Sequence, residues 1–350
     1  MCKVSRRDML VGGAALLGMA ATDSESVVKP AKANPREVGK VETLATDVYF
    51  HEGNIVLTHC NNGWIVFEDY VLVIDANFPS GAEIIIPKIR AITNKPIRFA
   101  FDTHHHGDHA YANQLWVEQG ATPLAHIGVL DDMKKYETGL FGNAPGRWEE
   151  TAKQRKDLTN TKLKPPSLLF PKELIFDDGK HRVELMHLGV AHTNGDAVAW
   201  LPKEKILFTG DVCVNGPYNY TGDGHVEKWI ATLDAAKKLG AKTICPGHGM
   251  FATESLLNDQ QAFFASLREA VGKLVNGKKS AQQIKDSVGQ ISDQLKANRQ
   301  IARYVSNGTL AEQVEKVFNE MTGESFPASQ KTSRLDRDLH AHSHGLTLLG

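Results

Sequence analysis

FDTHHHGDH, residues 101–109, is the stretch on which the reading of this chain turns. Four of its nine residues are histidine and two are aspartate. The segment before it, IRFAF at 97–101, is apolar with β-branched and aromatic side chains and reads as the end of a strand. Side chains alternate along an extended segment, so His104 and His106 point one way and His105 the other. Gly107 is expected to allow a sharp turn, after which Asp108 and His109 face a second position close by. Two imidazoles on one side, with a carboxylate and an imidazole on the other, are the beginnings of two adjacent metal sites.

Zinc takes three or four protein ligands, so more must come from elsewhere. They come at three further places where a strand ends. Ala191-His192-Thr193 follows RVELMHL (182–188), Thr209-Gly210-Asp211 follows KILF (205–208), and Pro246-Gly247-His248-Gly249 follows KTIC (242–245). Short loops at strand ends are where a rigid scaffold can present ligands. A lone histidine is more often a loop or core residue, and His105, His126, His181 and His187 are read that way.

Working outward, NIVLTHC (54–60), GWIVFED (63–69), YVLVIDA (70–76), LIFDD (174–178) and AVAWLP (197–202) also read as strands separated by turn residues. GAEIIIPKIRAI (81–92), AYANQLWVEQG (110–120) and VEKWIATLDAAKKLG (226–240) carry helical spacing. Strands in hairpins, then strands alternating with helices, imply an α/β fold of two sheets with helices outside. From about residue 256 the pattern is helical only. One helix is marked by Phe263, Phe264, Leu267, Val271 and Leu274. A second is marked by Ile284, Val288, Ile291 and Leu295, and a third by Leu310, Val314, Val317, Phe318 and Met321. Capping boxes at Ser280–Gln283 and Thr309–Glu312 are expected to open the last two. Residues 127–170 are long, polar and turn-rich, with Tyr136, Phe141 and Trp148 inside, which is the signature of a functional loop such as a lid.

The composition bounds the rest. A chain of 350 residues with 41% hydrophobic residues can form one large domain or two smaller ones. A formal net charge of -1 gives no reason to expect nucleic acid or an anionic membrane as partner. At the N-terminus, Ser5-Arg6-Arg7-Asp8 precedes the apolar run MLVGGAALLGMAA, too short to span a bilayer, and Ala31-Lys32-Ala33 offers a cleavage site. The paired arginines resemble a twin-arginine export signal. Cys2 would leave with that signal, so Cys60, Cys213 and Cys245 remain, an odd number that argues against a disulfide framework. The latter two lie near ligand motifs and are expected to be buried small hydrophobes. His340, His342 and His344 sit in a polar tail that reads as solvated.

The ordered series T-H-H-H-G-D-H, A-H-T-N-G-D, F-T-G-D and P-G-H-G resembles the metallo-β-lactamase-fold hydrolase superfamily over roughly residues 42–256. The resemblance implies a four-layer αββα sandwich, here with a helical C-terminal extension. With the N-terminal signal and the helical pattern after 256, the chain divides into a signal (1–33), a catalytic domain (34–256), helices (257–321) and a tail (322–350). The resemblance places a first metal on His104, His106 and His192, and a second on Asp108, His109 and His248, with Asp211 bridging. Asp75, ending the strand VLVID, matches a position that supports the metal-binding loop, and Thr193 beside His192 is expected to serve likewise. The implied cofactors are two zinc ions, although iron and manganese accept the same donors.

Two cations sharing a solvent molecule make hydroxide available near neutral pH, with Asp108 orienting it and shuttling a proton. Esters, thioesters, lactones, amides and phosphoesters are all within reach of that chemistry. The branch of β-lactamases with Cys at the bridging place has Lys three residues later; here these are Asp211 and Val214. The expectation is therefore an exported hydrolase of a carboxylic ester, thioester or lactone, periplasmic or secreted, acting on a small molecule. β-Lactam hydrolysis is the first alternative, and a non-catalytic periplasmic metal-binding or maturation partner is the second. Asn194, Asp196, Tyr218 and Tyr220 lie in loops that could contact substrate or simply form turns. The apolar faces of the C-terminal helices call for packing on the core or pairing with a second copy.

Overall fold

The alternation of side chains along each strand explains the layers. In a computed structural model, which describes residues 39–142, 144–306 and 308–327, strand β3 (Asn62–Val66) sends Ile65 to one face and Trp64 and Val66 to the other. Its neighbour β4 (Val71–Ile74) does the same, Leu72 and Ile74 against Val71 and Val73. Both faces are apolar because both are covered, which is why these strands read as continuous hydrophobic runs.

The first sheet contains β1 (Val41–Ala45), β2 (Val48–His51), β3, β4, β5 (Ile97–Asp102), β6 (Thr122–His126) and β7 (Leu168–Phe170), hydrogen-bonded in that order. It is antiparallel up to β4 and parallel from β4 to β7. The second contains β8 (Glu173–Asp177), β9 (Arg182–Met186), β10 (Val198–Leu201), β11 (Ile206–Gly210), β12 (Thr243–Pro246) and the short β13 (Ala252–Thr253), again in sequential order. Only β11 and β12 pair in parallel there. The sheets meet through Phe50, Ile65, Leu72 and Phe101 against Leu185, Ala199, Phe208 and Cys245.

Helices cover the outer faces. Helix α1 (Pro79–Ile92) buries Ile85 and Ile89 against the first sheet beside Trp116. The expected helix at 110–120 is split into α2 (Gly107–Ala110) and α3 (Asn113–Glu118). Beyond β6 come α4 (Ile127–Tyr136) and α5 (Arg147–Ala152). Over the second sheet lie α6 (Val226–Lys238), α7 (Ser255–Asn276), α8 (Ala281–Asp286), α9 (Val288–Ala297) and α10 (Leu310–Thr322). Their apolar faces share one core with Trp200, Leu207 and Ile244 of β10, β11 and β12. The result is the αββα sandwich with C-terminal helices that the sequence implied.

Several local expectations are corrected. NIVLTHC is not a strand: Ile55–Leu57 is a 3-10 turn, closed by Thr58 at φ 55° and opened by Asn54, whose side chain accepts from Val56 N. The segment 127–170 is not structureless but carries α4, α5 and two 3-10 turns. The second C-terminal helix breaks at Ser287 into α8 and α9. The capping box of Ser280 is formed, but Thr309 makes no side-chain cap. Thr309 has φ -114° and ψ -16°, already close to helical, whereas a capping side chain needs an extended backbone to reach back. Gly107 is required not for a turn but for space, since a Cβ there would lie 2.5 Å from the Tyr111 ring.

Among the described residues no helix is long and apolar enough to cross a membrane. Cys60, Cys213 and Cys245 are free and buried. The signal segment 1–33 and the histidines at 340, 342 and 344 lie outside the described residues.

Candidate metal centre

Parallel strands end on the same side, and the parallel pairs β4–β5 and β11–β12 end at one place. Asp75 follows β4, and His104, His106, Asp108 and His109 follow β5 in the first sheet. Asp211 follows β11 and His248 follows β12 in the second, while His192 enters from the β9–β10 loop. Asn61 ties the two sheets together there, its Nδ2 donating to Pro246 O at 2.7 Å and Gly249 O at 2.6 Å.

The seven side chains named from the sequence meet in two groups. In the first, His106 Nδ1 lies 3.1 Å from His104 Nε2 and 2.8 Å from His192 Nε2. In the second, His248 Nε2 lies 3.0 Å from Asp108 Oδ2 and 3.4 Å from His109 Nε2. Asp211 touches both: Oδ2 is 3.5 Å from His192 Nε2 and 3.4 Å from His248 Nε2, and Oδ1 is 3.4 Å from His109 Nε2.

The donor chemistry fits divalent cations. Donors about 2.0–2.1 Å from a tetrahedral ion stand about 3.3 Å apart, close to the spacings here. Burial first, and neighbouring imidazoles second, hold His104 and His106 well below the ordinary histidine range, so each offers a lone pair. Burial likewise lowers His192. The second group is ringed by carboxylates. Burial there pushes His109 and His248 down but is outweighed: Cys60, Asp75, Asp108 and Asp211 hold His109 well above its ordinary value, and Asp211 and Asp108 hold His248 at about 9. The two imidazoles in turn outweigh burial to keep Asp108 and Asp211 ionised. Concentrated negative charge of this kind attracts a cation, which would displace those protons.

Outer partners orient four of the rings. Tyr220 O is 2.9 Å from His192 Nδ1, Asp75 Oδ2 is 2.9 Å from His109 Nδ1, Thr103 Oγ1 is 3.1 Å from His104 Nδ1, and Asp223 Oδ2 is 2.9 Å from His106 Nε2. Such contacts select the tautomer that leaves the inner nitrogen available. Asp75 also accepts from Thr103 N through Oδ1 at 2.9 Å. It does so from a left-handed backbone, φ 65°, which Asp tolerates better than most residues.

Asp223 escaped the reading of the sequence. The one signal was its form, Gly222-Asp223, the same pair as Gly210-Asp211. His105 points away from both groups, as alternation required, but is more than a bland core residue. Its Nε2 lies 3.5 Å from Asp223 and its Nδ1 3.6 Å from Asp132. His105, His106 and Asp223 come close enough to hold a third ion. The Arg147 guanidinium already sits on both carboxylate oxygens, at 2.5 and 3.0 Å, and supplies the positive charge there. Cys60 adjoins Asp75 and His109, but burial pushes its thiol up to about 12, so it is not a thiolate ligand by default.

The loop residues divide. Tyr218 places its ring 5.9 Å from that of His248, beside the second group. Tyr220 has its ring 5.7 Å from that of His106. Asn194 Nδ2 is engaged with Asp132 at 3.0 Å. Asp196 is buried and accepts from Thr193 N at 2.8 Å and Thr193 Oγ1 at 2.7 Å, so this pair locks the turn that carries His192. His126, His181 and His187 keep structural partners: Gly128 N, Glu204 and the Asp196 carbonyl.

Residues 55–248 match the model of the metallo-β-lactamase superfamily. A metallo-β-lactamase type 2 of Bacteroides fragilis is 30% identical over 96 residues, 26% of this chain and 39% of that protein. One of Pseudomonas aeruginosa is 31% identical over 109 residues, 29% of this chain and 44% of the relative. The chain thus spans less than half the length of either. Among solved structures, the DIM-1 metallo-β-lactamase exposed to ceftazidime aligns with a TM-score of 0.52 at 19% identity, over 65% of this chain and 96% of that one. The metallo-β-lactamase from Pontibacter korlensis aligns at 0.51 and 18% identity, over 65% and 98%. At these identities the structural likeness is one of fold.

Proposed function

Since the chain belongs to the metallo-β-lactamase superfamily, we propose that it is an exported, dinuclear zinc hydrolase acting on a carboxylic ester, thioester or lactone. The observation that carries the reading is Asp211, whose oxygens reach nitrogens of both groups within 3.5 Å. His104, His106 and His192 would hold one cation, Asp108, His109 and His248 the other, and Asp211 both. Cations so held would supply Lewis acidity, acidifying water and polarising a substrate carbonyl.

The chain's own groups do the rest. Asp108 is ionised and, at 16% exposure, more open than Asp211 or His248, so it can take a proton from the attacking water and return it to the leaving group. Tyr218 and Tyr220 flank the two ends of the site and would bound the substrate. The three buried cysteines are not placed as nucleophiles; burial pushes each thiol up.

A second reading, β-lactam hydrolysis, is supported by the metallo-β-lactamases among the relatives. Against a dedicated enzyme of the Cys-and-Lys branch stands Val214, which is 1% exposed and hydrogen-bonded through its N to Gln260, a core residue in place of a substrate-facing cation. Zinc-loaded protein assayed against nitrocefin, a thioester and a lactone panel separates the two. Faster turnover of nitrocefin than of every ester or lactone would reverse the order. Loss of turnover in EDTA and its return with zinc, iron or manganese tests catalysis and names the metal, whereas a non-catalytic partner has no turnover to lose. Export rests on Arg6 and Arg7; replacing both by lysine should keep the protein in the cytoplasm, and unchanged export would overturn that part.

A further inference from the structure

The back of the first group is tied to a segment that none of its ligands belongs to. Asp223 Oδ2 lies 2.9 Å from His106 Nε2, and Arg147, at the start of α5, grips the same carboxylate with Nη1 at 2.5 Å and Nη2 at 3.0 Å. The guanidinium also lies 3.8 Å from the ring centre of Tyr136, the last residue of α4. Tyr136 in turn stacks on His105, with ring centres 5.2 Å apart and planes 9° apart. Arg147 is itself held in place: Trp148 N donates to Glu137 Oε2 at 2.7 Å, and Gly146 N to Glu149 Oε2 at 2.8 Å.

We propose that Arg147 is a positioning residue, which aims the Asp223 carboxylate at His106 and so makes the cation affinity of the first group depend on the docking of the α4–α5 segment. The proposal rests on the reading of His104, His106 and His192 as a cation site. Its physical basis is the planar guanidinium fork. Bidentate binding sets the plane of the carboxylate as well as its position, which a point charge cannot do. With that plane set, one oxygen falls on His106 Nε2, and the ring turns Nδ1 to His104 and His192. The stack of His105, Tyr136 and Arg147 holds the fork at a fixed height. Without the fork, Asp223 keeps His105 and Tyr136 as neighbours but loses the two-point grip that sets its plane, so His106 is oriented less firmly.

The test is zinc titration of the full chain in competition with a chromophoric chelator, on wild type, Arg147→Ala and Arg147→Lys, with the cobalt(II) absorption of each protein as a spectroscopic readout. Wild type should take up two ions. Arg147→Ala should lose about ten- to a hundredfold in affinity for one ion, keep the other, and change the cobalt(II) spectrum. Arg147→Lys, which keeps the charge without the fork, should recover only a small part, and added guanidinium salt should restore Arg147→Ala. Two ions bound by Arg147→Ala with wild-type affinity and spectrum would overturn the proposal alone. Should Arg147→Ala fail to fold, Arg147→Lys carries the same test, and full affinity in that variant would overturn the role of the fork. Failure of wild type to bind two ions would overturn the underlying reading of the site, and the proposal with it.

Discussion

Gly247 stands so close to Asp211 that a Cβ on it would lie 1.9 Å from Asp211 Oδ1. The Asp211 carboxylate and the loop that delivers His248 therefore occupy adjoining space, and only the absence of a side chain at 247 lets both stay where they are. Gly247 N donates to Gly210 O at 2.8 Å, so the glycine cannot move aside without breaking the link between the two strand ends.

Gly247→Ala is accordingly expected to displace Asp211 while leaving the sandwich folded. Zinc content, measured on purified protein, should fall below two per chain. Turnover should drop by about a hundredfold or more, the usual consequence of moving a reacting group by an ångström. Wild-type zinc content and turnover would show that Asp211 tolerates the shift.

Asp75→Asn removes a charge that faces His109 Nδ1 at 2.9 Å and keeps the oxygen that accepts from Thr103 N. The second ion should be held about ten- to a hundredfold more weakly. Folding stability should fall by about 1–3 kcal/mol, the range for a buried polar contact left imperfect. Chelator competition and urea unfolding read the two effects separately, and unchanged affinity would contradict the supporting role of Asp75.

His51, which belongs to neither metal group, gives a pH dependence of its own. Burial first, and the nearby Lys88 charge second, lower its pKa from 6.5 to about 4. The folded state therefore resists protonation while the unfolded state accepts it. The stability owed to neutral His51 is complete above pH 6.5, is lost as pH falls from 6.5 towards 4, and changes no further below that. At 1.36 kcal/mol per unit the loss is at most about 3 kcal/mol. His51→Gln should flatten the wild-type decline in urea midpoint between pH 6.5 and 4, and parallel curves would rule the assignment out.

The two helix starts read from the sequence as capping boxes should behave differently. Ser280→Ala removes a hydroxyl that accepts from Gln283 N and should cost about 1 kcal/mol. Thr309→Ala removes a hydroxyl that caps nothing and should cost only a few tenths of that, by the same unfolding measurement. Equal losses would mean that the Thr309 cap forms after all.

How much of this was legible without coordinates follows from the range of each signal. The strands of both sheets that carry the ligands were readable because their two apolar faces and their boundaries are local properties. β1, β2, β6 and β7 were not: in β1 none of the five residues is fully buried, β6 carries Pro123 among its five, and β2 and β7 are only four and three residues long. NIVLTHC misled because it carries β-branched and apolar residues in a stretch whose conformation is set by the Asn54 side chain and the left-handed Thr58. Propensity does not register such caps.

The sequence by itself determined which side chains could bind metal and that they stand at strand ends, and, through the two-residue period of an extended chain, that His104 and His106 fall in one group while His105 faces elsewhere. Only the tertiary structure decided what lies behind those ligands. Asp223 is 117 residues from His106, Arg147 is 76 from Asp223, and Asn61 is 185 from the carbonyl of Pro246 that it binds. Periodicity is a property of neighbours along the chain. Which loop arrives at which strand end is settled by the pairing of strands and the close packing of two sheets, and that information exists only once the chain has closed on itself.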